Sequence, residues 1–317
     1  MGTYRLILAI LVVTSHGGFR ILGYNQGAAA VVSFFIISGY VTSILIEKYY
    51  NSPKKILLFY TDRCLRLFPQ FIFYLLITIV VMLCIDNTLI ISNPWLMISN
   101  FLILPLNFFA YYHNEWIAIP QSWSLGLELQ FYLLAPLIIL FRKQGAAHIA
   151  SLVVFTIAFS LIIQNDYNGY RMIWGTLLFF MSGIFIRTSV GRKALLLTYA
   201  YFAALLILSY VFDSGPMLGN RNLIFGYLIG LPIVYLLTRI DYHRYDAVLG
   251  DISYGVYLNH FLIFFALSGF GVDYKKPGTL VLCVLASIIC GYASSMIIEK
   301  PVVKARHLLR KKLNLLN

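Results

Sequence analysis

The sequence predicts an all-α polytopic membrane bundle of about ten helices, and three observations carry that reading. Of the 317 residues, 60% are hydrophobic and only 11% are charged, too few charges for a soluble domain of this size. Apolar runs near the ~20 residues needed to span a hydrocarbon core recur about ten times. The cations are also distributed asymmetrically. If the N-terminus is cytoplasmic and the helices alternate, nineteen of the twenty-four Lys and Arg fall on the inner side and five on the outer, so both termini are expected in the cytoplasm. The net charge of +12, which would suggest nucleic acid in a soluble chain, reads here as the retention signal of cytoplasmic loops, and no nucleic-acid partner is expected. No polar linker divides the chain, so residues 1–317 read as a single domain.

The spans fall near 4–20, 28–47, 68–86, 122–142, 147–163, 171–187, 193–212, 221–239, 249–270 and 278–298. The first has the basic head and apolar centre of a signal peptide. Its small-residue patch at Ala28–Ala30 lies too far past that centre, so it reads as a retained helix. Pro69 suits the start of the third span, where a missing N–H costs nothing. The segment Asn87–Gln121 carries no Lys or Arg and is crowded with Pro94, Trp95, Pro105, Phe108, Phe109, Tyr111, Tyr112 and Trp116. It reads either as an interfacial aromatic belt or as a stacking surface for a sugar, with its short apolar pieces dipping into the membrane. The four cysteines, Cys64, Cys84, Cys283 and Cys290, lack metal-ligand spacing. Cys283 and Cys290 lie about two helical turns apart, roughly 10 Å, too far for a disulfide, and all four read as structural.

Ionisable side chains inside a span mark candidate chemistry, because each costs roughly 2.5–3.5 kcal/mol at the bilayer centre. Arg5 and His16 lie eleven residues apart in the first span, about three turns and roughly 16 Å along one helix face. His16 ends that helix in Thr-Ser-His-Gly-Gly, and the glycines leave room for a ligand beside the ring. A His can take a proton from a hydroxyl at neutral pH. Its bland reading is a helix-end group, and that of Arg5 is a topology anchor. Arg63 and Arg66, at i and i+3, project from one helix face; two adjacent guanidiniums suit phosphate, or else serve as further anchors. Ser38-Gly39 makes a small-residue notch for a neighbouring helix or a thin acyl chain. Glu128 places a carboxylate one turn into a membrane helix, where it orients a His or pairs with an Arg. Ser253, Tyr257 and His260 share one face of the ninth span and read chiefly as a structural network, which makes replacement of His260 the milder change.

Taken in order, these segments resemble the acyltransferase-3 family of integral membrane O-acyltransferases. The resemblance rests on Arg5 and His16, then Phe34-Phe35 with Ser38-Gly39-Tyr40, then Arg63 and Arg66. It continues with Trp123-Ser124-Leu125, Glu128 and Gln130-Phe131-Tyr132, Ile252 to His260, and Glu299-Lys300-Pro301. Two departures stand out: Leu129 where many members have a second Glu, and Asn259 and Phe261 flanking the late His. The resemblance implies the stand-alone form, without a fused extracytoplasmic esterase-like domain. It implies a multi-pass protein of the bacterial plasma membrane that moves an acyl group, most simply acetyl, from cytoplasmic acyl-CoA to a hydroxyl of a surface or lipid-linked polysaccharide. Acyl-CoA is then a substrate, with no permanently bound cofactor and no metal, and membrane lipids are the remaining partners. His16, Arg5 and Glu128 are the expected catalytic residues. Arg63, Arg66, Ser38 and Gly39 are expected at the donor, and Trp116, Trp123, Tyr257 and His260 at the acceptor. The same chemistry on a lipid or small molecule is an alternative. Export of a glycan or small solute is a third reading, disfavoured by the lack of an internal repeat.

Overall fold

A computed structural model describes residues 1–85, 98–108, 117–211, 218–241 and 244–315. Among them the chain is all-α apart from one isolated bridge between Ile21 and Tyr24. Ten helices correspond to the ten expected spans. They are α1 (Gly2–His16), α2 (Gln26–Tyr49), α3 (Ile56–Ile85), α4 (Trp123–Leu140) and α5 (Gln144–Phe159), followed by α6 (Ile173–Phe185), α7 (Ser189–Val211), α8 (Leu218–Leu237), α9 (Arg244–Gly269) and α10 (Pro277–Ser294). An eleventh, α11 (Lys300–Leu315), follows a π-helical turn at Ser295–Glu299. Six stretches among the described residues are long and apolar enough to cross a bilayer: Gln26–Tyr49, Pro53–Ile85, Pro120–Leu140, Ser189–Val211, Tyr245–Gly269 and Pro277–Lys311.

Several boundaries differ from expectation. α3 starts at Ile56 and runs through Pro69, so Arg63 and Arg66 stand inside a helix rather than before one. A proline in a membrane helix is tolerated where neighbouring groups satisfy the freed carbonyl. The spans expected at 147–163 and 171–187 shorten to α5 and α6, because Ser160 caps α5 and a π-helical turn, Asp166–Arg171, fills the connection. Of the aromatic segment, Pro94, Trp95, Phe109, Tyr111, Tyr112 and Trp116 lie outside the described residues. Its described part is held by buried Asn100, whose Oδ1 accepts from the Ala118 N–H at 3.0 Å.

The chain forms two compact units. The first comprises residues 1–20, 60–129 and 242–317, and its axis is α9, buried without a break from Ile252 to His260. Burial on every side goes with polar side chains that bond to neighbouring helices, although Asn259 Oδ1 is buried without a hydrogen-bond partner. The Tyr254 hydroxyl donates to the Leu67 carbonyl (2.8 Å), Asn259 Nδ2 to the Ser287 carbonyl (2.9 Å), and Gln121 Nε2 to the carbonyls of Tyr257 and Leu258 (2.9 Å each). Tyr74 and Gln70 of α3 both bond Ser294 Oγ, at 2.7 and 2.8 Å. Between α9 and α10 the backbones meet at Gly255 and Gly291, where an added Cβ has no room.

The second unit comprises residues 21–59 and 130–241. There α2 packs by small residues on α6 and α8: Gly39 lies against the Phe180 backbone, Gly183 against Ile36, Gly226 against Ala29 and Gly230 against Ser33. Stacked rings fill the space beside them, Phe180 lying between Phe35 and Phe131 at 4.5 and 4.2 Å.

Within each unit the helix directions obey one rule. In ten alternating crossings, odd pairs and even pairs run parallel and mixed pairs antiparallel. Contacts of α1 with α9 keep a constant offset, Met1 to Asp246 and His16 to His260, so the pair is parallel. So are α2 and α8, through Asn25 with Asn222, Ala29 with Gly226 and Ser33 with Gly230. α9 and α10 run antiparallel, Gly255 meeting Gly291 and Asn259 meeting Ser287. α7 and α8 do likewise, Ser209 meeting Arg221 and Phe202 meeting Tyr227. The packing is therefore that of an alternating polytopic chain.

Two outcomes follow. Reporter fusions at Gln164 and after Asn317 are expected on opposite faces of the membrane, outside and inside; the same face for both contradicts the alternation. Gly39→Leu forces α2 off the Phe180 backbone, an overpacking worth about 1–3 kcal/mol. It is expected to lower the melting temperature of the solubilised protein, and an unchanged midpoint contradicts the packing.

Candidate active site

α1 and α9 are joined at both ends. At the start of α1, Asp246 accepts from the Met1 amine (2.7 Å), the Gly2 and Thr3 N–H groups (2.8 Å each) and Thr3 Oγ1 (2.9 Å). A carboxylate there satisfies N–H groups that a helix start leaves unpaired and opposes the positive end of its dipole. At the other end His16 Nδ1 lies 2.9 Å from His260 Nε2, with the rings 9° from parallel. His260 is fully buried while His16 is exposed. Phe261 stands 5.0 Å from both rings.

The order of protons along this pair follows from the carbonyl at its end. His260 Nδ1 faces the Val256 carbonyl at 3.4 Å, and a carbonyl only accepts. With Nδ1 carrying the hydrogen, neutral His260 presents a lone pair at Nε2. That lone pair takes the Nδ1 hydrogen of His16, which leaves the second lone pair of the dyad on His16 Nε2. A ring whose tautomer is fixed by a second group has the arrangement of an oriented general base. Arg20 adds a cation at the same helix end, its Nη1 donating to the carbonyls of Ser15 (2.7 Å) and Phe19 (3.1 Å). The sequence marked His260 as an acceptor-site or network residue, but not its pairing with His16. The available signal was a His at the outer third of a helix with the same direction as α1, and it becomes visible only when helix parity is considered.

A second constellation lies in the same unit. Arg63 and Asp62, both buried, form an ion pair. The same carboxylate receives Arg306 Nε at 3.3 Å, Arg310 Nε at 3.1 Å and Arg310 Nη2 at 2.8 Å. Arg66 pairs with buried Glu299 and lies over the Tyr254 ring at 4.8 Å. Asp251 stands in the electrostatic field of Arg66, Glu299, Arg5 and Arg306, which places Arg5 in this neighbourhood. Arg63 and Arg66 thus do not form the bare pair expected from their spacing, since each is turned to its own carboxylate. Glu299, which opens the late Glu299-Lys300-Pro301 motif, is the partner of Arg66.

The other expected residues divide. The Tyr257 hydroxyl is buried, 2.6 Å from Ser124 Oγ and 3.0 Å from the Gln121 carbonyl, with Glu128 in its electrostatic surroundings. Trp123 is buried too, and Trp116 lies outside the described residues. Ser38 and Gly39 belong to the second unit. Ser38 Oγ reaches the Tyr132 hydroxyl at 3.4 Å, and the notch at Gly39 is filled by α6 rather than left open for an acyl chain. The four cysteines are unbridged. The second unit also holds a cleft of about 590 Å³ whose polar lining includes Asn25, Gln164, Asp166, Tyr170, Arg171 and Asn222.

A polytopic helix bundle with an oriented histidine and a multi-arginine cluster in one unit is the layout of a membrane group-transfer enzyme rather than of a passive structural protein. The chain belongs to the acyltransferase-3 family of integral membrane O-acyltransferases: the family described as an acyltransferase domain matches residues 3–298. Among its relatives, an uncharacterized protein of Aquifex aeolicus is 32% identical over 205 residues, 62% of this chain and 93% of that one. O-acetyltransferase OatA of Staphylococcus aureus is 26% identical over 329 aligned positions, covering 88% of this chain but 53% of that protein, so the chain spans about half its length. The exopolysaccharide production protein ExoZ of Rhizobium meliloti is 24% identical over 300 positions, 89% of this chain and 91% of its own. No solved structure matches.

The buried Asp62 generates a stability prediction. Removing the carboxylate leaves three guanidiniums without their shared anion, a loss of the order of 3–5 kcal/mol for a broken buried pair. Asp62→Asn is expected to lower both the yield and the melting temperature of the solubilised protein. Wild-type values for both contradict the cluster.

Proposed function

We propose that the protein transfers an acyl group, acetyl in the simplest case, from cytoplasmic acyl-CoA to a hydroxyl of a cell-surface or lipid-linked polysaccharide at the bacterial plasma membrane. The observation that carries the reading is the dyad: an exposed His16 whose ring is fixed by a buried His260, at the end of α1 remote from Arg5. The relatives named as an O-acetyltransferase and an exopolysaccharide production protein support the acyl group and the acceptor class.

The acceptor is an alcohol, whose pKa lies far above neutrality, so attack on a thioester needs a base within hydrogen-bond reach. His16 Nε2 is that base. As the hydroxyl proton moves to His16, the oxygen bonds to the thioester carbonyl carbon, and the C–S bond breaks when the carbonyl reforms. The sulfur leaves with the electron pair and takes the proton, so the sum is thioester plus alcohol giving ester plus thiol. His260 stabilises the charged ring through the Nδ1 bond, as a positioning residue. Base catalysis of this kind is worth ~10²–10⁴ in rate. At the inner end Arg63 and Arg66 hold the phosphates of the donor, for which guanidiniums are suited. Arg5 and Glu128 act as charged groups supporting the donor and the helix that carries it.

The test is the O-acyl content of purified surface glycan from cells carrying each variant at matched protein level. His16→Ala is expected to abolish acylation. His260→Ala is expected to lose at least ~10² of the transfer rate because it removes the group that orients the base, a larger effect than its reading as a structural residue implied. Near-normal acylation by His16→Ala sinks the assignment. Acylated lipid with unmodified glycan moves the acceptor to a lipid.

A further inference from the structure

We infer that the cleft of the second unit is a binding site for a neutral glycan, a stretch of the acceptor polysaccharide held through its hydroxyls. The inference rests on the acceptor class proposed above. It adds a site outside the first unit, lined by residues that belong to none of the acyltransferase motifs.

Three observations carry it. The first is placement. The start of α2 (Asn25), the connection between α5 and α6 (Gln164, Asp166, Tyr170, Arg171) and the start of α8 (Asn222) all line one cleft. In an alternating chain these are ends on the same side, the outer one, opposite the side where Lys and Arg accumulate. A surface polysaccharide lies on that side.

The second is chemistry. The cleft holds about 590 Å³, within the ~300–1,000 Å³ of ligand sites. Among the described residues that line it, the two charged side chains, Asp166 and Arg171, pair with each other at 2.7 Å. Arg221, beside Asn222 in the chain, is turned to Ser209 and the Tyr210 ring. The lining therefore offers no excess cation to a phosphate. Its other polar groups are the amides of Asn25, Gln164, Asn165 and Asn222 and the hydroxyl of Tyr170. Amides donate and accept, as a sugar hydroxyl does, and a tyrosine joins an apolar ring to a polar tip. So polar a lining does not suit an acyl chain.

The third is a framework that holds the lining in place. Past the end of α5, Leu161 has a φ of 60°, a left-handed position that glycine usually takes, and the chain then enters the π-helical turn Asp166–Arg171. Strained residues and short π-helical turns concentrate at functional sites. Asn168 fixes the turn. Its N–H and Nδ2 donate to the Gln164 carbonyl and its Oδ1 accepts from Trp174 Nε1, each at 3.0 Å. Its backbone also lies against Gly175, where an added Cβ has no room. On the helix side, Asn222 Oδ1 accepts from the Asn25 N–H at 2.8 Å, and Asn25 Oδ1 from the Ala28 N–H at 3.1 Å. A site held by such bonds binds at a lower ordering cost.

The experiment measures binding without a donor. Purified full-length protein in nanodiscs is titrated with neutral oligosaccharide fragments of the surface glycan, de-O-acylated by mild alkali. Wild type is expected to bind them saturably. Gln164→Ala with Tyr170→Ala is expected to weaken binding roughly ten- to thirtyfold, as the loss of two hydrogen bonds implies. Ile162→Trp enlarges an exposed side chain at the cleft and is expected to weaken binding by narrowing it. It serves as the readout if the double variant does not yield monodisperse protein. Fragments that fail to bind wild type, or that bind the cleft variants with wild-type affinity, overturn the inference. Displacement of the fragments by inorganic phosphate makes the cleft an anion site and also overturns it. Wild type that binds through the cleft yet transfers no acyl group upholds the glycan site and fails at the proposed function alone.

Discussion

The parallel pairing of α1 with α9 is the constraint on which the rest of the first unit depends. Asp246 gathers the first three residues of the chain at one end, and His260 receives His16 at the other. Gly2 sits against the α9 backbone at Asp246 with no room for a side chain, so the helices touch at their start and the register cannot drift by a residue. Between these clamps, about fourteen residues of α1 deliver His16 to a fixed height, roughly 20 Å along the axis. A slip of one residue would turn the imidazole by about 100° and break the dyad. The precision of the proposed base is thus a property of helix register, set partly by a carboxylate that never approaches the reacting atoms.

Charge in the first unit is arranged along the same axis. The outer end carries two stacked imidazoles with one capping arginine, whereas the inner end carries a cluster of arginines threaded by Asp62, Asp251 and Glu299. Burying such ions is costly unless each has a partner of opposite sign. The carboxylates meet that condition, and they also hold the guanidiniums ordered. Preorganisation of this kind reduces the ordering cost of binding. The second unit uses different physics. It is packed by glycine contacts and stacked aromatic rings, with Gly39, Gly183, Gly226 and Gly230 letting helix backbones meet, as expected where apolar lipid supplies no drive for helices to associate.

Much of this was legible in the sequence. Apolar run length located ten of the eleven helices named among the described residues, and the cation asymmetry set an alternation that the parallel and antiparallel pairs within each unit obey. Arg5, His16, Arg63 and Arg66 stood out because ionisable groups in apolar helices are rare. What remained hidden were relations between distant helices. Periodicity gives the face a residue occupies but not the helix that meets that face, so His260 read as an acceptor or network residue with no link to His16, and Glu299 as a motif residue with no link to Arg66. Asp62 was overlooked because it sits beside Arg63 in a basic stretch. Yet with only twelve Asp and Glu in 317 residues, an acid within a helix was itself a signal of a buried partner. At Gly39 the sequence left two readings of the notch, a neighbouring helix or an acyl chain, and the neighbour that meets it is a helix.

The central claim is that His16 and His260 act as one catalytic unit, and a double-mutant cycle on acyl-transfer rate tests it most directly. Residues that act together are strongly non-additive. The account predicts that, with purified protein and fixed donor and acceptor, adding His260→Ala to His16→Ala costs no more than His16→Ala alone. Losses that multiply, each substitution reducing the rate by its own independent factor, contradict it.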